Sequence, residues 1–333
     1  MDVWKEHIND PIIIHESELE RLNPNKFYVD CLIDFKVFDI LGNTNDSIRE
    51  KVFSFYCSFY HILQVSHNKT DESRYAKFLR NSSQHVHAFE KDILFIPINV
   101  IGSLHWSLCI VLYPLLHMLG QLLPEDETKS KHSSNTNFSD CCILHLDSHP
   151  GIHTPSEIFS NLKQYFTDLW NVKKDQLDFI KSLHAHCIRK GFLIVDETDF
   201  IELIQKNLTS TDLYNSIPCA SCNVSEQPNG YDCGPFILSF VQCTVESIQA
   251  KENEAIQIPI TEYIKLNLLN AKPADDHRAQ LRNTLADIAA EFRTCKAFLP
   301  PHNYDDSEPE ILGDKNDTSS TQRPYTVNVL YFE

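Results

Sequence analysis

Two apolar runs separated by four residues restrict the fold more than any other feature of the chain. KDILFIPINV (91–100) and HWSLCIVLYP (105–114) are short, rich in β-branched and aromatic residues, and divided only by Ile-Gly-Ser-Leu. Runs of this kind read as adjacent buried strands. CCILHLD (141–147) reads as a third. Helical periodicity surrounds them. VDCLIDFKVFDIL (29–41) puts Val29, Ile33, Val37 and Leu41 on one face, and EKVFSFYCSFYHIL (50–63) does the same for Phe53, Tyr56, Tyr60 and Leu63. TPSEIFSNLKQYFTDLW (154–170) offers Thr154 as N-cap, Pro155 at the first helical position and Glu157 to complete a capping box. Its apolar stripe is Ile158, Leu162, Tyr165, Phe166 and Leu169. Further helices are expected near 176–187 and 197–207, over 233–248 and over 277–295. Helices, then strands, then helices fit an α+β fold better than regular βαβ alternation.

With 333 residues, 42% of them hydrophobic, the chain can build one large core or two small ones. A net charge of −17 argues against nucleic acid or an anionic membrane as partner, since both attract cations. The most apolar stretch, 108–123, is broken by Pro114, His117, Gly120 and Gln121 and is too short for a membrane span. MDVWKEHINDPIII lacks a basic region followed by a long apolar run, so no secretion signal is expected. The eleven cysteines then read as free thiols of a reducing compartment, nuclear or cytoplasmic. The Asn-x-Ser/Thr triplets at Asn68 and Asn207 read as chance. Polar residues 124–140 read as a surface loop and 300–333 as a disordered tail. CASC (219–222) has zinc-ligand spacing, with His184, His186 and Cys187 upstream, but one pair without a second reads as two free thiols. No metal and no cofactor are expected.

SEQPNGYDCGPFILSFVQC (225–243) holds a cysteine at the edge of an apolar run rather than inside it. If Asp232 N-caps a helix that begins at Cys233, the thiol meets the positive end of the helix dipole, which favours thiolate. Gly234 would leave room for a substrate backbone, and Pro235 costs little in a first turn. A cysteine nucleophile needs a base and a group to orient that base. His105 opens one strand and Asp147 closes another, so both can project into a cleft. Gln227 can aim an N–H at a developing oxyanion, beside the backbone N–H of Cys233. Each residue also has a plainer reading: a structural thiol, a strand-end histidine, a turn aspartate, a loop glutamine. Spacing alone leaves both readings open.

Taken together, His105-Trp106-Ser107-Leu108, ILHLDSH around Asp147 and QPNGYDCGPFIL around Cys233 resemble the SUMO-specific (sentrin-specific, ubiquitin-like-protein-specific) cysteine proteases. FYVDCLIDF (27–35) and FEKDILFIPINVIGSLHWSL extend the resemblance to roughly residues 20 to 295. It implies a papain-like fold, with a central mixed β-sheet packed by helices. It implies Cys233 as nucleophile, His105 as general base and acid, Asp147 as its orienter and Gln227 as oxyanion donor. A diglycine tail would run through a tunnel roofed by Trp106 and by Phe27, where the family usually has Trp. Tyr28-Val29-Asp30 replaces the family's Leu-Asn-Asp, which leaves Asp30, with Gly234, in the substrate-binding set.

The implied organisation is an N-terminal extension (1–20), a catalytic domain (21–299) with insertions near 115–140 and 171–226, and the tail (300–333). The implied activity is a SUMO isopeptidase acting through an acyl-enzyme, closer to the chain-editing branch, and working as a monomer. Its partners would be SUMO or another ubiquitin-like modifier and its conjugates. A peptidase directed at NEDD8 or ubiquitin, a cysteine acetyltransferase and a non-enzymatic SUMO-binding module remain open. Val327, Val329 and Leu330 near the C-terminus resemble a SUMO-interacting strand, and equally a terminal strand packed on its own domain.

Overall fold

The computed structural model describes residues 12–67, 75, 78–80, 88–122, 140–189, 196–207, 214–253, 259–269, 275–297 and 329–330. Before the expected strand pair come β1 (Ile12–Ile13), α1 (Glu16–Leu19), α2 (Asp30–Gly42), α3 (Asp46–Lys51), β2 (Val52–Ser54) and α4 (Ser58–His67). The pair itself is β3 (Ile93–Ile98) and β4 (Ser107–Leu112), followed by α5 (Pro114–Leu122) and β5 (Cys142–Leu146). Then come α6 (Pro155–Lys173), α7 (Leu177–Arg189), α8 (Glu197–Asn207) and β6 (Cys219–Ser221). The chain continues through α9 (Cys233–Asn253), α10 (Ile260–Leu268), α11 (Asp275–Ala297) and β7 (Val329–Leu330).

The main sheet has the order β2-β3-β4-β5-β6. Its outer pairs, β2–β3 and β5–β6, are parallel, and β3–β4 and β4–β5 are antiparallel. It is therefore a mixed sheet, and with the helices around it the fold is α+β, as expected. Every residue of β3, β4 and β5 is buried. Alternation explains how such apolar runs are used: successive side chains leave a strand on opposite faces. Ile93, Phe95, Leu108, Ile110 and Leu144 join one core with α2, α9, α10 and α11. Leu94, Ile96, Cys109, Val111 and Ile143 join the other with α4, α5, α6, α7 and α8. The Ile-Gly-Ser-Leu turn reverses the chain through Gly102, whose φ of 84° is costly for any residue with a Cβ.

Three local expectations need correction. Residues 50–63 are not one helix: Val52–Ser54 form a strand paired in parallel with Ile93–Phe95. Over so few residues an apolar spacing fits either period, and the free edge of β3 decides in favour of the strand. Tyr60 and Leu63 keep the expected buried side on α4. Thr154 does sit at the N-cap of α6, but its side chain makes no capping bond, so the expected capping box is not formed. The stripe of that helix is buried as expected, with Thr167 and Trp170 added to it. Third, 114–122, expected only as an interrupted apolar stretch, is a helix entered through Tyr113 at φ 51°. Among the described residues no helix is long and apolar enough to cross a membrane.

The loop expected at 124–140 lies outside the described residues except for Asp140, as does the tail expected beyond residue 300 except for two positions. Those two, Val329 and Leu330, pair in parallel with Ile12 and Ile13. Segment 171–226 puts Leu183, Cys187, Phe200, Ile204, Tyr214 and Ile217 into the second core. Leu144, on β5, lies in the first core with 0% exposure. Leu144→Ala should lower the unfolding free energy by about 2–5 kcal/mol in a urea titration. A change below about 1 kcal/mol would contradict its place in the core.

Candidate active site

The antiparallel register of β4 and β5 pairs Leu108 with Leu146. The start of β4 therefore lies beside the end of β5, and His105 just before one meets Asp147 just after the other. His105 Nε2 lies 2.6 Å from Asp147 Oδ1, and both side chains are buried. Cys233 is the first residue of α9 and is fully buried, close enough that its thiol helps to raise the pKa of the same imidazole. The structure thus brings together the three side chains that the sequence reading grouped. Such an arrangement can pass a proton from thiol to imidazole and hold the resulting cation against a carboxylate.

The electrostatics fit that use. Burial disfavours the imidazolium of His105, but the hydrogen bonds and charges of Asp147 and Cys233 outweigh it and raise the pKa from 6.5 to about 9. Burial likewise disfavours the Asp147 carboxylate. The bond from His105 and the backbone N–H of His149, at 2.9 Å, outweigh it and hold the pKa below its ordinary value.

Gln227 is buried and clamped at both ends of its amide. Its Oε1 accepts from Ser148 Oγ at 2.7 Å, and its Nε2 donates to the Asn229 carbonyl at 2.6 Å. Its backbone N–H donates to the Ser148 carbonyl at 2.9 Å. Ser148 follows Asp147 directly, so one turn fixes both the carboxylate and the amide. Nε2 carries a second N–H beyond the one given to Asn229, as an oxyanion donor requires. The Asn229 Oδ1 accepts the backbone N–H groups of Tyr231 and Asp232, each at 3.0 Å, which shapes the approach to Cys233. Sequence reasoning assigned no role to Ser148 or Asn229, although both lie inside the quoted motifs.

The remaining expected site residues fall into two groups. Trp106 is buried, and its Nε1 donates to the Tyr28 carbonyl at 3.4 Å, a long bond that joins it to the segment carrying the half-exposed Phe27. Asp30 and Gly234 lie at the starts of α2 and α9. Asp30 is exposed at the first residue of α2, and its charge acts on Cys31, Asp34 and Cys57. The Cβ side of Gly234 is filled from within the protein: a Cβ there would meet the Tyr28 Cβ at 2.6 Å. The missing side chain makes room for Tyr28. Asp232 caps α9 through its backbone carbonyl, which accepts from Phe236 N–H at 3.0 Å. Its carboxylate instead binds Asn229 and Arg278.

Behind His105 lies a layer the sequence reading missed, although ILHLDSHPGIHT is dense in histidine. The His153 ring centroid is 4.8 Å from that of His105. Ser107 Oγ bridges His145 Nε2 at 2.9 Å and His153 Nδ1 at 2.8 Å, and Ser103 Oγ lies 3.1 Å from His153 Nε2. Burial pushes both His145 and His153 down to about 4, so neither adds a cation beside His105 at neutral pH. His105, Asp147 and His153 hold ligand atoms within 4.8 Å of one another, the only cluster of metal-ligating type among the described residues. Its atoms are already committed to one another and to the two serines. Cys219 and Cys222 join no such cluster there.

These shifts carry a stability signature. A histidine held at about 4 in the fold and near 6.5 when unfolded stabilises the fold above pH 6.5 and loses that contribution between 6.5 and 4. His105 has the opposite sign: its contribution is complete below 6.5 and lost as pH rises through about 9. Urea titrations at pH 7 and pH 5 should therefore show a fall in stability for the wild type that His153→Gln, which retains a donor and an acceptor, partly removes. An equal fall in the variant would contradict the assignment.

Residues 34–189 match the model of the Ulp1 protease family, C-terminal catalytic domain. The match includes His105 and Asp147 and ends before Gln227 and Cys233. The chain is 24% identical over 287 residues to a probable ubiquitin-like-specific protease 2A of Arabidopsis thaliana, covering 84% of this chain and 31% of that protein. It is 24% identical over 253 residues to sentrin-specific protease 7 of Rattus norvegicus, covering 69% and 23%. With ubiquitin-like-specific protease 1D of Arabidopsis thaliana the identity is 28% over 234 residues, covering 69% and 33%. The chain thus spans a third or less of the length of these relatives. A solved structure described as a de-sumoylating protease aligns at a TM-score of 0.48 and 18% identity, covering 85% of this chain and 90% of that one. Residues 34–189, just under half of the chain, thus resemble the catalytic domain of the Ulp1 protease family.

Proposed function

We propose that this chain is a cysteine isopeptidase that removes SUMO from lysine side chains and edits SUMO chains. The observation that carries the reading is the meeting of Cys233, His105 and Asp147 at the ends of three rigid elements. Names of the relatives support the class of substrate.

With the proton of Cys233 held on His105 as imidazolium, the thiolate attacks the carbonyl carbon of the terminal glycine in the isopeptide bond. The second N–H of Gln227 and the backbone N–H of Cys233 receive the oxyanion. The imidazolium gives its proton to the departing lysine amine, which leaves an acyl-enzyme at Cys233. His105 then removes a proton from water, which attacks the thioester and restores the thiol. Asp147 stays ionised throughout, in keeping with its lowered pKa, and holds the imidazole in one orientation. On this reading Trp106 and Phe27 serve as flat aromatic walls over the approach to Cys233. A side chain larger than glycine's hydrogen would clash with walls of that kind, which suits a diglycine tail.

A SUMO probe ending in diglycine and an electrophile should label Cys233, compared side by side with matched ubiquitin and NEDD8 probes. No labelling of a folded sample would refute the reading, and labelling by the ubiquitin or NEDD8 probe alone would reassign the modifier. Cys233→Ser should abolish turnover of a SUMO conjugate while conjugate binding persists. Gln227→Ala should lower kcat by about 10²–10³ with KM little changed. A kcat within about twofold of wild type would remove Gln227 from the oxyanion role.

A further inference from the structure

The guanidinium of Arg278, on α11, has all five of its N–H donors placed. Nε and Nη2 donate to Asp232 Oδ1 at 3.1 and 2.6 Å. Nη1 donates to the carbonyls of Arg21 and Asn23 at 3.0 and 3.2 Å, and Nη2 also reaches the Lys26 carbonyl at 2.8 Å. The same group lies over the Tyr28 ring, 4.8 Å from its centroid. The ion pair with Asp232 is buried, with 8% of each side chain exposed.

Three distant parts of the chain therefore meet at one cation: α11, segment 21–28 and the residue that precedes Cys233. Segment 21–28 carries Phe27 and Tyr28, and Tyr28 both receives Trp106 Nε1 and packs against Gly234. Lysine could not replace this arrangement, because its three donors radiate from one atom. Loss of the cation would leave a buried carboxylate unpaired next to the nucleophile. Arg278 also lies beyond the residues matched to the family model.

We infer that Arg278 is a positioning residue for the reaction at Cys233. It fixes the start of α9 against the segment that roofs the cleft, and it balances the charge of Asp232 beside the thiol. The turnover part of this inference rests on the isopeptidase reading; the thiol-reactivity part does not. Arg282 is an internal control, because it bonds Leu22 O and Asn23 Oδ1 of the same segment, at 2.8 and 3.0 Å, without touching Asp232.

The test measures alkylation of Cys233 by iodoacetamide against pH, read by mass spectrometry, together with kcat and KM on a SUMO-lysine conjugate. Circular dichroism at the assay temperature establishes that each variant is folded. In Arg278→Gln the pH midpoint of alkylation should rise by about one unit, the effect of one unpaired neighbouring charge at intermediate dielectric. Adding Asp232→Asn should return it toward the wild-type value. The kcat of Arg278→Gln should fall at least about tenfold, more than KM changes, while Arg282→Gln retains wild-type kcat and midpoint. An unmoved midpoint in folded Arg278→Gln, or an equal loss in Arg282→Gln, overturns the inference. If Arg278→Gln does not fold, Arg278→Lys decides: reduced kcat in a folded sample supports positioning, and wild-type kcat overturns it. A wild type inert toward SUMO conjugates but showing the variant's midpoint shift would sink the isopeptidase reading and leave Arg278 in place.

Discussion

The short bond between His105 Nε2 and Asp147 Oδ1 depends on a strand register. Leu108 faces Leu146 across β4 and β5, and with that pairing the two polar residues emerge side by side from a fully buried sheet. A slip of one residue would send every side chain of a strand to the opposite face. Two cores, one on each side, resist such a slip. The apolar packing thus sets the separation of an ionisable pair that lies outside the strands. Burial opposes charge on both partners, and each supplies the field that keeps the other charged.

The surroundings add charge in a controlled way. His145 and His153 lie near the pair, but their depressed pKa values leave them neutral. Two serine hydroxyls use their ring nitrogens, so they support the site as hydrogen-bonding solids rather than as extra cations. On the other side of Cys233, Asp232 is matched by Arg278. A thiol at a helix start therefore sits between a histidine whose charge is stabilised and an aspartate whose charge is balanced.

What the sequence reveals here follows from the range of each interaction. Strands β3, β4 and β5 and helix α9 are legible because burial imposes an apolar pattern along the chain itself. His105, Asp147, Gln227 and Cys233 stand out because they sit at the ends of those patterns within distinctive flanking residues. Asp30 and Gly234 were read from the same flanks; the fold adds what the flanks did not show, the charge of Asp30 beside Cys31 and Asp34 and the seat that Gly234 provides for Tyr28. Strand β2 is three residues long, too short for period two to separate from a helical stripe. The Arg278–Asp232 pair spans 46 positions and the Ser148–Gln227 bond spans 79, and neither repeats. Contacts of that kind leave no local signature and emerge only when the chain is folded.

The central claim is that Asp147 and Cys233 together hold the imidazole of His105 in its charged form at neutral pH. NMR titration of that ring in ¹⁵N-histidine-labelled protein reads this directly, with His105→Gln used to assign the signal. The structure predicts a midpoint near 9. A midpoint at the ordinary value of 6.5 in the folded protein would contradict it.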